Sequence, residues 1–363
     1  MSEGGEGCGS SGFDEGGDVG EATSGYEDSA ESSEASSATE TTGTETTGIQ
    51  TSSVSEYGNE GFSGFGKAET SSRGIETVGM NDHIHGRDTK SERYTAKMET
   101  VSNESFSVIA NQSKRQSYEY AAKMCEDRRD ELTAKSKQDA TEARLDESKN
   151  FSENVIGTHS PYTGEIRVSD IVTERCAEHT LDHEYMHAAS YKSKEVTHSE
   201  KESVEKMTSG IRENIYTTNY ETGTVTPEYR NVSLNEGFTE TYTLRSEQEA
   251  GIDHGTLATY STNREYAASL EDLVGEEMVS EAYFNGMSKE LADRCNELGK
   301  DENTWSDINS LLDKATKYSE NETSEMRAER ENARKELDSI FERMNINRLE
   351  EMKNAERNAA QNN

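Results

Sequence analysis

Residues 181–190 read LDHEYMHAAS, and the His-Glu-x-x-His inside them restricts this chain more than any other stretch. On a helix turning about 100° per residue, His187 falls about 40° from His183. Leu181, Tyr185, Ala188 and Ala189 fall between about 140° and 240°, on the far side. One face presents two imidazoles and the opposite face is apolar, which predicts a buried helix facing a site. Neutral imidazole is a good zinc ligand, and residues i and i+4 lie one above the other, so this pair can share an ion. Glu184 follows the first histidine directly, the place from which a carboxylate acts as base towards the attacking water in H-E-x-x-H sites.

Two ligands leave zinc short, because a catalytic site holds the metal by three protein groups and keeps a position open. SLNEGFTETYTLRS, residues 233–246, supplies candidates. On a helix Glu236 and Glu240 are i and i+4 and share a face. One can ligate while the other accepts a hydrogen bond from a liganding imidazole and fixes its tautomer. The competing reading is a capping box, Ser233 with Glu236, involving no metal. Gly237 costs helix stability, about 1 kcal/mol against Ala. Close approach of the two motif helices around a shared ion is the expected reason to keep it.

HEYMH followed by NEGFTE resembles the gluzincin metallopeptidases, the zincin type of thermolysin and anthrax lethal factor. The resemblance covers about residues 150–300 and implies an α+β, zincin-like fold that is mostly helical with a small mixed sheet. It makes His183, His187 and Glu236 the ligands of Zn2+, Glu184 the catalytic base and Glu240 the carboxylate behind a ligand. The implied activity is hydrolysis of peptide bonds in a protein or peptide substrate, more as an endopeptidase than as an exopeptidase. The strand GEIRVSD ahead of the first motif helix fits the edge strand with which zincins pair an extended substrate. The spacing between motifs is longer than in thermolysin and closer to toxin-type members. In those a tyrosine seven residues before the third ligand stabilises the oxyanion, and here that position is Tyr229, with Tyr216, Tyr220, Tyr242 and His198 as competitors. The block YSTNREYAASLEDLVGEEMVSEAYFNG is similar to the helical part of bacterial proteins that bear both motifs. The alternative function is a non-catalytic zincin-fold scaffold that binds metal and acts through a partner.

Outside the motifs the chain divides by composition. Residues 1–90 are Gly, Ser, Thr and Glu almost throughout, without apolar periodicity, and read as a disordered acidic arm. His83 and His85, near its end, read as a solvated pair. Residues 91–150 read as a helical lead-in, 151–315 as the metallopeptidase domain and 316–363 as a charged helical tail. In that tail Leu337, Ile340, Phe341 and Met344 form a weak stripe, suited to a docking helix, a short coiled coil or a solvated helix with one packed face. EIRVS alternates Ile166 and Val168 like a half-buried strand. Residues 192–232 read as an irregular excursion with a possible hairpin. Four apolar segments then follow at helical spacing, the first three ending at glycine.

The formal net charge of −35, from 73 acidic and 38 basic residues, repels nucleic acid and anionic membranes. Cys8, Cys125, Cys176 and Cys295 stand far apart, without C-x-x-C, and read as isolated reduced thiols. MSEGGEGCGS has neither the basic start nor the apolar run of a signal peptide, and no apolar stretch approaches a membrane span. The expectation is synthesis in the cytoplasm, with export by a route lacking a cleavable signal compatible with the sequence. Nothing in the sequence sets the oligomeric state.

Overall fold

The computed structural model describes residues 100–151, 155–252, 260–317 and 322–361. The acidic arm, with Cys8, His83 and His85, lies outside the described residues. The described chain is α+β and mostly helical, with two small sheets.

The lead-in forms α1 (Asn103–Met124), whose Ser102 side chain accepts from the Ser105 amide, and α2 (Arg129–Ser136). Helix was expected up to about residue 150, but ARLD forms strand β1 (Ala143–Asp146) instead. Helix propensity is a weak prior, and pairing with a neighbouring strand satisfies the same backbone groups. β2 (Gly157–His159) and β3 (Ile166–Ser169) complete a sheet of order β1-β3-β2, with β1 parallel and β2 antiparallel to β3. Ile166 and Val168 are buried, as their alternation predicted. GEIRVSD is not the edge, however. β3 is central, and β2 is the outer strand on the side of the first motif helix.

That helix, α3 (Glu174–Ala189), starts at Thr173, whose hydroxyl accepts from the Cys176 amide. Leu181, Tyr185 and Ala189 are wholly buried on the predicted apolar face. It packs between α1, β2, β3 and the second motif helix, so its polar face is buried as well.

Residues 192–232 are more regular than the sequence suggests. β4 (Lys192–His198), β5 (Glu202–Ser209), β6 (Arg212–Asn219) and β7 (Val225–Arg230) form an antiparallel meander in chain order. Only its base is buried, around Met207 and Ile211. The rest is held by backbone pairing and cross-strand ion pairs such as Lys194–Glu205 at 2.9 Å and Lys206–Glu213 at 2.5 Å. A sheet wet on both faces leaves no apolar alternation to read.

The second motif helix, α4 (Val232–Ala250), is entered through Asn231 in the left-handed conformation, which asparagine tolerates. The Asn231 side chain donates to the Ile211 carbonyl at 2.9 Å and fixes this entry to the sheet. Then follow α5 (Ser261–Val274), α6 (Glu276–Asn285), α7 (Ser288–Gly299), α8 (Thr304–Thr316) and α9 (Ser324–Gln361). Gly275 and Gly286 cap α5 and α6, as expected; α7 has Gly299 as its last residue and Lys300, in the left-handed conformation, as its cap. Gly299 lies against Thr304. Tyr242, Tyr283, Phe284 and Phe238 make the aromatic core between α4 and α6. Leu337, Phe341 and Met344 of α9 are wholly buried, and α9 packs on α7 and α8. No helix among the described residues is long and apolar enough to cross a membrane. Cys125 and Cys295 are buried free thiols, but Cys176 is disulfide-bonded, which corrects the expectation of an isolated thiol there.

Gly237 marks a close approach, though with a different partner from the one expected. A Cβ there would stand 2.4 Å from the backbone oxygen of Asn263, at the start of α5, and not against α3. Ala would gain about 1 kcal/mol of helix propensity and lose about 3 kcal/mol to overpacking against backbone. We expect Gly237→Ala to lower the unfolding free energy by about 2 kcal/mol in denaturant titration.

Candidate metal centre

α3 and α4 pack against each other and set their polar faces opposite. Each helix places side chains four residues apart on that face. His183 and His187 from α3 meet Glu236 from α4, and one ligand atom from each lies within 4.8 Å of the others. Glu236 Oε2 is 3.3 Å from His183 Nε2 and 3.2 Å from His187 Nε2. Donors arranged tetrahedrally at about 2.0–2.1 Å from zinc are about 3.3 Å apart. All three side chains are buried or nearly so. Two imidazole nitrogens and a carboxylate oxygen at this spacing fit a divalent metal ion.

The nitrogen of each imidazole that faces away from Glu236 has its own partner, and these partners set the tautomers. His183 Nδ1 donates to Glu240 Oε2 at 3.0 Å, leaving the Nε2 lone pair towards the site. His187 Nδ1 faces Thr239 Oγ1 at 3.2 Å, with Asn235 Nδ2 farther off at 3.5 Å. Thr239 in turn donates to the Asn235 carbonyl at 2.8 Å and accepts from the Tyr283 hydroxyl at 2.6 Å. Ser233 Oγ meets Thr316 Oγ1 at 3.1 Å inside the helix, and Glu236 turns to the histidines, so no capping box forms.

The pairing extends one turn further back. Glu240 is also 3.5 Å from His179 Nε2, and His179 Nδ1 is 2.8 Å from Glu247 Oε1. His179, four residues before His183, and Glu247, seven after Glu240, escape a motif search. The signal was the same helical spacing repeated on both helices.

Electrostatically the site is a buried network of opposite charges. Burial disfavours the charged imidazolium of His183, but hydrogen bonds to Glu236 and Glu240 outweigh it and raise its pKa to about 10. His179 is raised to about 10 by the same balance, through Glu240 and Glu247. His187 is lowered, chiefly by burial. Burial alone would raise Glu236 and Glu240, but their histidine partners hold both well below the usual carboxylate range.

A metal must therefore displace the His183 proton. Below pH 10 we expect zinc affinity to rise with pH, and binding near neutrality to release about one proton. Calorimetry in buffers of different ionisation enthalpy measures that proton. Without metal the sign for stability reverses. The histidine contribution is complete below the unfolded value of 6.5 and is lost as pH rises towards about 10. The Glu236 and Glu240 contribution is complete above 4.5 and is lost on acidification. These four groups thus stabilise the metal-free protein most between about pH 4.5 and 6.5, while His187 and Lys192, held low by burial, pull the other way as pH falls; thermal unfolding against pH measures the balance.

The remaining predicted residues are placed as follows. Glu184 is buried, is not among the three converging donors, and lies beside Gly157 of β2, where a Cβ would stand 2.9 Å from Glu184 Oε1. Tyr229 is on β7, edge-on to Tyr216 at 6.3 Å, with Arg212 over its ring at 5.9 Å. Tyr216 in turn packs on Tyr162. Tyr220 pairs with His198 at 2.9 Å in the exposed part of the sheet, and Tyr242 is buried in the aromatic core. Two unpredicted rings flank the histidines. Tyr260, held at φ 51°, stacks on His183 with centroids 5.3 Å apart, and His159 of β2 stacks on His187 at 6.4 Å. Lys192 donates to His159 Nε2 at 3.0 Å and is itself lowered to about 7 by burial. Neither ring belongs to a motif, so only the tertiary structure brings them here. Comparison with protein-family models, curated proteins and solved structures found no match, and the reading of this centre rests on its own residues.

Proposed function

We propose that the protein is a zinc-dependent metallopeptidase of zincin type. The observation that carries this reading is the convergence of His183, His187 and Glu236, with Glu184 next in sequence to a donor yet outside the donor set. That division separates metal holding from proton transfer. Zinc, when bound, supplies a Lewis acid that acidifies water and polarises a carbonyl. Glu184 takes the proton of the attacking water and passes it to the leaving amine. Glu240 and Thr239 hold the two imidazoles in the tautomers that present Nε2. Among the described residues β2 is an outer strand running past Glu184, and an extended substrate chain added to it would reach the base. Tyr229 is the proposed oxyanion donor.

Purified protein should contain one zinc per chain and cleave an unfolded protein substrate. A chelator should abolish cleavage, and added zinc should restore it. One zinc per chain without cleavage of any unfolded or proteome-derived peptide would instead favour a metal-binding scaffold. Absence of metal binding would overturn both readings.

A further inference from the structure

A polar cavity lies between α1, α3 and the C-terminal end of α4, with a volume of about 510 Å³. Five buried polar atoms on its lining residues make no hydrogen bond of good geometry among the described residues: Ser113 Oγ, Gln116 Nε2, both carboxylate oxygens of Asp182 and Ser246 Oγ; the Ser113 hydroxyl stands near enough to Asp182 to favour its charged form. The three residues Ser113, Asp182 and Ser246 are each about 98–99% buried. Orphaned groups at such depth are rare, because each carries a desolvation cost of about 1–3 kcal/mol and more when charged. The four oxygens come from three helices and share one space, so a single donor group can meet them together, whereas Gln116 Nε2 is itself a donor and needs a different partner.

The chemistry of that group follows from the lining. Burial and the Glu247 charge push the Asp182 carboxyl well above the usual carboxylate range, and a cation beside it would hold it ionised, as an acceptor only; Glu119, Glu178 and Glu249 add negative charge, against Arg115 and Lys123, the latter already paired with Glu249. Hydroxyls at Ser113 and Ser246 can accept further N–H groups. The space is far larger than a bare metal ion needs, and Asp182 is its one wholly buried carboxylate. A cation lodged there would offset the cost of holding the Asp182 carboxylate away from water.

We propose that this cavity binds a small aliphatic molecule carrying an ammonium or guanidinium head, which donates to Asp182 and to the two serine hydroxyls. The site is separate from the metal centre. It shares α3 with that centre, since Asp182 directly precedes His183 and its carbonyl accepts from Ser117 Oγ of α1 at 3.1 Å.

Agmatine is the probe, titrated calorimetrically into the zinc-loaded full chain, with the neutral isostere butylurea and magnesium chloride as controls. We expect saturable one-to-one binding of agmatine and a raised thermal midpoint. Asp182→Asn should weaken binding at least about ten-fold, and Glu119→Gln, an exposed rim change that leaves the fold intact, about three-fold. If Asp182→Asn does not fold, Glu119→Gln decides. No saturable agmatine binding, meaning a cavity that holds only water, would overturn the proposal. So would equal binding of butylurea, full displacement by equimolar magnesium, or affinity unchanged in the folded variants.

Discussion

Glu184→Gln should retain one zinc per chain and lose peptide hydrolysis by about 10²–10⁴-fold, the share of a rate that a positioned proton-transfer group supplies. The substitution keeps the shape of the side chain against Gly157 and removes only its basicity. Glu184 does not belong to the converging donors, so the metal content should not move. The loss belongs in kcat, with substrate binding little changed, because proton transfer occurs only at the transition state. Metal analysis beside steady-state kinetics separates the roles. A variant that cleaves like the wild type removes Glu184 as base. A variant that loses both metal and activity makes it a structural group.

His183→Ala should cost more, and in two ways. It deletes one of three donors, so zinc content should fall to near zero. It also removes one of the two histidine partners of the wholly buried Glu240, leaving His179, and the Nε2 partner of Glu236. Breaking a buried ion pair from one side costs about 3–5 kcal/mol. We expect a loss of that size for the metal-free variant compared with the metal-free wild type, read by denaturant unfolding. Glu240→Gln is the graded companion. It keeps an acceptor for His183 Nδ1 but not the charge, and should weaken zinc about 10–100-fold without abolishing it. If His183→Ala binds zinc as well as the wild type, the centre is elsewhere.

The sequence by itself determined the two motif helices and the pairs of side chains they bear. Spacing of four residues survives any packing, because it is a property of the helix. The apolar back of α3, the strand at Ile166 and Val168, and the short helices after residue 260 were legible for the same reason: a local period sets each one. The buried stripe of α9 was legible too, though not what it packs against.

What sequence could not reach was everything fixed by contact between distant segments. The four-stranded meander hides because its faces are mostly wet, so backbone pairing, and not apolar alternation, defines it. ARLD becomes a strand because β3 offers a ladder, against its own helical propensity. Gly237 was read correctly as a close approach, but whether α3 or α5 supplied the neighbour depended on tertiary packing. His159 and Tyr260 reach the histidine cluster only when β2 and the start of α5 assemble around α3 and α4. Local periodicity chose which side chains are presented together on one helix. Only the tertiary structure decided which of them face one another across a buried, low-dielectric gap, where a proton or a metal ion must balance the charge.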